Sequence, residues 1–145
     1  MIRFINAQET LPLRSAVLRV GAPLSDCHFQ GDNLETTFHM GYLSGDGDTV
    51  CILTCQLEAL EGHPGTGYRL RGMATHPDWR GKGIGTELLN AAINHLATGL
   101  MADYLWCNAR RVAYDFYRQL GFTTLSAEFE IPGIGPHSVM HLALN

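Results

Sequence analysis

The stretch from Thr75 to Thr86, with glycines at 81, 83 and 85, constrains this chain most. An extended run, Tyr68 to Thr75, leads into it, and an apolar-periodic run from Ile84 to Leu96 leads out. The order is strand, glycine-rich loop, helix N-terminus. The first N–H groups of a helix have no intrahelical partner, and the helix dipole places partial positive charge at the same end. Glycines let backbone approach an anion closely. Arg80 and Lys82 add charge beside those N–H groups. Residues Arg80, Gly81, Lys82, Gly83, Ile84 and Gly85 therefore read as a cradle for the pyrophosphate of a nucleotide-type cofactor.

Spacing narrows the cofactor. A dinucleotide fingerprint needs G-x-G-x-x-G, and counted from Gly81 its last position is Thr86. A Walker loop needs G-x-x-x-x-G-K-[ST], whereas Lys82 is flanked directly by Gly81 and Gly83. Both common nucleotide motifs fail. The run Arg80 to Gly85 instead resembles the R/Q-x-x-G-x-G/A signature of the GNAT acyltransferases, a family that binds acetyl-CoA.

Length and composition bound the rest. A chain of 145 residues suits one domain, spanning 1–145, and buries enough surface to fold without disulfide or metal. Hydrophobic content of 46% and charged content of 17% fit a globular chain. A net charge of −4 argues against nucleic acid as the main partner, since neutralising phosphates takes clustered Lys and Arg. The N-terminus lacks the apolar core of a signal peptide, and no run reaches the length of a membrane helix. Cys51 and Cys55 fall on one face of a strand, roughly 13 Å apart by strand rise. That excludes both a disulfide and one tetrahedral zinc. With Cys27 and Cys107 they read as reduced packing residues of a cytoplasmic protein with no metal.

The pattern along the chain is mixed. Residues 2–5 form a short strand. Thr10 and Pro12 read as cap and early-turn residue of a helix carrying Leu13, Ala16, Val17 and Val20, stopped by Gly21 and Pro23. Leu34 to Leu43 alternates as a half-buried strand and pairs as a hairpin with Thr49 to Leu57. Tyr68 to Thr75 follows, with Gly72 marking a bulge or a close ligand approach. Asp103 to Asn108 is apolar enough to be a central parallel strand, so strand, helix and strand form a right-handed βαβ unit. Arg111 to Leu120 reads as a second amphipathic helix, with Val112, Phe116 and Leu120 on its apolar face, closed by Gly121. Phe122 to Ile131 and Ser138 to Leu144 read as a closing hairpin.

A second signature lies between Asn108 and Phe122. GNAT sequences commonly show Asn-x-x-Ala-x-x-x-Tyr-x-x-x-Gly-Phe, and Ala113, Tyr117, Gly121 and Phe122 match it in spacing. The family Asn falls at Arg110, and Asn108 stands two residues earlier. Either residue is a candidate to contact the pantetheine amides; Arg110 could instead reach a phosphate or an acidic group on the acceptor. The two signatures cover residues 68–122 in the right order. The resemblance implies a mixed α/β (α+β) sheet of about six to seven strands with about four helices. It also implies a splayed central strand pair that admits the pantetheine arm; pairing of two copies through C-terminal strands is common in the family resembled, and the oligomeric state is open.

The implied reaction is direct transfer of acetyl from acetyl-CoA to a primary amine on a small molecule or protein. The amine must lose a proton before it attacks. The thioester oxygen needs an N–H donor as it gains charge, which the resemblance puts in Met73, Ala74 and Thr75. By resemblance Tyr117 serves the departing thiolate as a neutral donor. His39, His76, Glu130 and His137 are candidates for the base, and none is assigned. A noncatalytic acyl-CoA-binding sensor is the alternative from another class. The acceptor is not legible.

Overall fold

The computed structural model describes residues 1–144. Its eight strands are β1 (Ile2–Ile5), β2 (Phe38–Leu43), β3 (Thr49–Leu57), β4 (Gly67–Thr75), β5 (Tyr104–Arg110), β6 (Thr123–Thr124), β7 (Phe129–Ile131) and β8 (Gly135–Ala143). Three α-helices occur among the described residues: α1 (Ala7–Leu13), α2 (Ile84–Asn94) and α3 (Tyr114–Gln119). The sheet runs β1-β2-β3-β4-β5-β8-β6, with β7 also on β8. Every pair is antiparallel except β4–β5. The extra strand over the expected count comes from the closing segment, where β6 and β7 are separate short pieces.

The parallel pair decides what the sheet can do. Gly67 to Arg69 pair with Tyr104 to Trp106, and there the pairing stops. Beyond that point β4 stays with β3, and β5 stays with β8 as far as Arg110 opposite His137. The backbone groups of Arg71 to Thr75 that point toward β5 thus lie beyond the β4–β5 ladder. Just past the divergence β4 carries a bulge. Thr54 faces Arg71 while Ile52 faces Ala74, so Gly72 and Met73 together oppose Leu53. Gly72 has φ +62°, and a Cβ there would sit 2.6 Å from the Phe29 ring. The position demands glycine on both counts.

Apolar residues fill both faces of the sheet. Ile84, Leu88, Leu89, Ala92 and Leu96 from α2 and its extension pack with Leu53, Leu70, Leu105 and Met140 from the strands. A smaller cluster of Ile5, Leu13, Ile52 and Ala74 lies under α1. All four cysteines are free and buried.

Several expectations change in detail. The first helix is capped by Asn6, not Thr10: the Asn6 side chain accepts the Glu9 N–H, and the Glu9 side chain accepts the Asn6 N–H. This capping box starts the helix four residues earlier, and Thr10 is buried inside it. The helix then widens into a π turn at Arg14–Leu18, with the Arg19 N–H donating to the Arg14 carbonyl at 2.9 Å. Val20 lies beyond its end and is exposed. Leu34 to Thr37 is turn, not strand, because the Thr37 N–H and hydroxyl turn back to Leu34 and Gly31. Val112 sits in a 3₁₀ turn before α3 and is 92% exposed, so it is not part of an apolar helix face.

One polar cluster is buried within the fold. Arg14 makes two bonds to Asp32, at 2.6 and 3.1 Å, and donates to Thr54 Oγ1 and the Cys27 carbonyl. The Phe29 N–H also donates to Asp32. His39 Nδ1 meets Thr54 Oγ1 at 2.7 Å, and its Nε2 donates to the Asp32 carbonyl at 3.0 Å. Burial alone would raise the Asp32 pKa, but the bonds from Arg14 and the Phe29 amide hold it below the ordinary value. The cluster ties α1, the loop after it, β2 and β3 together.

Candidate active site

A cleft of about 620 Å³ opens where β4 and β5 diverge. Met73, Ala74 and Thr75 line it from β4, Asn108 and Arg110 from β5, and Tyr117 from α3. Arg80 and Gly85 line its far end. A smaller adjoining hollow of about 270 Å³ is lined by Arg80, Gly81, Gly83, Ile84 and Gly85. Two hollows that share Thr75, Arg80, Gly85 and Phe116 thus connect the loop to the strand gap.

The loop is built as its glycines require. His76 accepts the Asp78 N–H and starts a 3₁₀ turn at Pro77–Trp79. The Arg80 Nε–H donates to the Thr75 carbonyl at 3.3 Å, which turns that side chain back toward the cleft. Gly81 and Gly83 have φ +76° and +78°, a region costly for other residues. Gly83 is the N-cap of α2 and offers no side-chain bond. The leading N–H groups of α2 are therefore free for an anion. Gly85 has ordinary φ, and a Cβ there would meet Met73 and Phe116 only at 3.6–3.7 Å. Its protein neighbours leave room for a methyl. Lys82 lines neither hollow; its ammonium lies 5.2 Å from the Trp79 ring centroid.

Tyr117 is 8% exposed, and its hydroxyl bonds to no other described residue. Burial, with Cys107 nearby, pushes its pKa far above the usual phenol value, so it is a neutral donor throughout the working range. The Cys107 thiol is pushed up to about 12 by burial and is inert there. The uncommitted hydroxyl differs from a packing tyrosine, which satisfies its O–H on a carbonyl.

The four base candidates separate. His39 is committed at both nitrogens to the buried cluster and does not line the cleft. His76 caps a turn. Glu130 is exposed on β7 and lines neither hollow. His137 lines the cleft and is buried. Its Nδ1 donates to the Gly135 carbonyl at 2.8 Å, which leaves Nε2 as the lone-pair nitrogen of the neutral ring.

The sequence reading missed the cleft's other wall. Arg69 and Arg71 on β4, Arg19 after α1, and Phe29 also line it. The Arg71 guanidinium lies over the Phe29 ring at 4.4 Å and Arg69 over Trp106 at 5.2 Å. Burial, reinforced by Arg69, lowers the Arg71 pKa from its ordinary value. The available signal was Tyr68-Arg-Leu-Arg71: two arginines at i and i+2 of an otherwise apolar strand share one face. Among the described residues, no group of three or more His, Cys, Asp or Glu side chains is placed to hold a metal ion.

Comparison with known proteins agrees with this geometry. The family model described as an acetyltransferase (GNAT) domain matches residues 45–124. The uncharacterized N-acetyltransferase YitI of Bacillus subtilis (strain 168) is 34% identical over 99% of this chain and 95% of its own length. Among solved structures, the ribosomal-protein-S18-alanine N-acetyltransferase of Escherichia coli superposes with TM-score 0.78 at 18% identity, covering 99% of this chain and 93% of that one. An aminoglycoside 6'-N-acetyltransferase complexed with coenzyme A gives TM-score 0.77 at 14% identity over 100% and 97% of the two chains.

Proposed function

The chain belongs to the GNAT acetyltransferase family, and we propose that it transfers acetyl from acetyl-CoA directly to a primary amine through the β4–β5 cleft. One observation carries the assignment of roles. The strand gap, the free N-terminus of α2 and the uncommitted Tyr117 hydroxyl open onto connected hollows. The residues present fit acetyl-CoA. Gly81 to Gly85, with Arg80, hold the pyrophosphate. Unpaired backbone groups between Met73 and Thr75 hold the pantetheine arm and donate to the thioester oxygen, and Asn108 borders the same arm.

The chemistry follows from what these groups can hold. Acetyl-CoA supplies an activated acyl group. An alkylamine is mostly protonated at neutral pH, with a pKa near ~10.4. His137 Nε2 takes that proton, and the free lone pair forms the new N–C bond as the C–S bond breaks. An N–H of the β4 edge stabilises the charge that builds on the carbonyl oxygen. Tyr117 donates a hydrogen bond to the departing sulfur. Its raised pKa makes complete proton transfer to a thiolate of pKa near ~8.5 uphill, so its part is to stabilise the leaving sulfur. The nitrogen, cationic once the N–C bond has formed, gives its second proton to water as the amide forms, and the proton held on His137 neutralises the thiolate, so one proton is released per turnover.

The acceptor is a small-molecule or protein amine, and the protein acts in the cytoplasm. No helix among the described residues is long and apolar enough to cross a membrane. Pairing through the C-terminal strands is expected, and light scattering on a sizing column checks it. Thermal shift with acetyl-CoA, CoA and NAD tests the co-substrate: stabilisation by the first two supports the reading, and a response to NAD alone overturns it. Free-thiol release with an amine panel then separates a transferase from an acyl-CoA sensor, which would bind without turnover.

A further inference from the structure

We propose that the acceptor is an anionic amine, whose carboxylate or phosphate oxygens are taken by Arg71 and Arg110 on the sheet face opposite α2. The inference rests on the transferase reading above and names the substrate class for that same cleft.

Charge distribution comes first. The chain has ten Lys and Arg against fourteen Asp and Glu. Five of those ten cations, all arginines, line the cleft, and none of the fourteen acids does. A site for polycationic amines would show the opposite balance, because buried cations are stabilised by carboxylates.

Placement separates these arginines from the phosphate cradle. Residues directly opposed across antiparallel strands share a face. Arg69 and Arg71 oppose Gln56 and Thr54, and Arg110 opposes His137. The neighbours that alternate with them, Leu70, Cys107 and Ala109, pack in the core with α2. Arg71 and Arg110 therefore project from the other face, the one that carries Phe29 and the Arg14–Asp32 cluster. Arg71 also lies roughly 13 Å along the strand from Thr75, where the loop begins. The pyrophosphate end already has Arg80 and the α2 N-terminus.

Partners complete the argument. Arg14 is neutralised by Asp32 at 2.6 Å, and Arg69 faces Glu58 at 3.5 Å. The Arg71 and Arg110 side chains make no ion pair or hydrogen bond with any described residue. The Arg69 Nε–H, on the same wall, is buried without a protein acceptor. Half-buried guanidinium donors left open in this way fit planar anionic oxygens, which they bind in a fixed fork. His137 stands opposite Arg110 in register, so an anion on the arginines places the acceptor's amine on the base side of the cleft.

The test uses the full chain with acetyl-CoA and matched acceptors: amino acids against their amides, O-phosphoethanolamine against ethanolamine, and spermidine. The anionic member of a pair is expected to exceed its neutral partner in kcat/KM by roughly 10- to 100-fold. The amino acid pair and the phosphate pair show which anion is preferred. Arg71→Met and Arg110→Met should each collapse that ratio toward one by raising the acceptor KM, with acetyl-CoA affinity by calorimetry within about twofold. Arg71→Lys should recover part of the ratio, which a merely structural role would not produce. Equal or better turnover of neutral amines or spermidine by the intact enzyme overturns the inference and leaves the transferase reading standing. If acetyl-CoA binds and no amine is acetylated, the transferase reading fails, and this inference with it. Should a methionine variant not fold, the ratio measured on the intact enzyme decides alone.

Discussion

Tyr117 carries two properties that pull apart in a packing tyrosine: it is buried, and its hydroxyl is uncommitted. Tyr117→Phe is expected to lower kcat by roughly 10- to 100-fold, the worth of a hydrogen bond to a charged atom, with acetyl-CoA affinity unchanged. Because burial raises its pKa, ionisation of this group should cause no loss of rate as pH climbs through 10; a Tyr117-dependent fall there would contradict the placement. His137→Gln should cost roughly 10²- to 10⁴-fold. That loss should shrink as pH approaches the acceptor's own pKa, where the amine no longer needs a base. Asp32 acts on stability instead. Its carboxyl is held below the ordinary 3.8, so its contribution is present above that value and lost as pH falls through the lowered one. Asp32→Asn leaves Arg14 buried without its charge partner and should cost about 3–5 kcal/mol at pH 7. Urea titrations at pH 7 and pH 3 check this: the gap between wild type and variant should narrow at the lower pH.

At the scale of elements, the loop and the helix it starts make the sharpest contrast. Gly83→Ala forces an L residue to φ +78° and should destabilise the fold by about 1–2 kcal/mol. Gly85→Ala meets only ordinary contacts. It should leave the melting temperature nearly unchanged while raising the acetyl-CoA KM severalfold, if the loop holds the pyrophosphate as proposed. Denaturant melts and steady-state kinetics on the two variants separate conformational from contact roles. This loop was legible in sequence because glycine spacing, a charged flank and helix periodicity are all local. The same holds for β3, β4, β5 and α2, whose ends fell within a few residues of expectation. What was not legible depends on partners far along the chain. The first helix starts at Asn6 because Glu9 answers it, a pattern readable in the sequence but overlooked beside Thr10 and Pro12. Val112 looked like core by spacing, yet the 3₁₀ turn exposes it. His39 looked like a base until Thr54 and Asp32 were brought to its two nitrogens.

Across the whole molecule, function follows from one interruption in an otherwise continuous sheet. β4 and β5 pair over three residues and then part, while apolar clusters pack on both faces of the sheet. The bulge at Gly72 changes which face β4 presents partway along the gap: Arg71 lies toward Phe29, and Met73 packs with the α2-side core. On the proposed reading, one strand thereby serves the acceptor before the bulge and the thioester after it. Five arginines, Arg19, Arg69, Arg71, Arg80 and Arg110, draw positive charge into the cleft of a molecule of net charge −4. The most direct test of the central claim is simultaneous measurement of thiol release and product mass with acetyl-CoA and a set of primary amines. The account predicts stoichiometric free CoA and an amine heavier by one acetyl group, with both signals falling together in Tyr117→Phe. Tight acetyl-CoA binding with neither signal, for any amine, would contradict it.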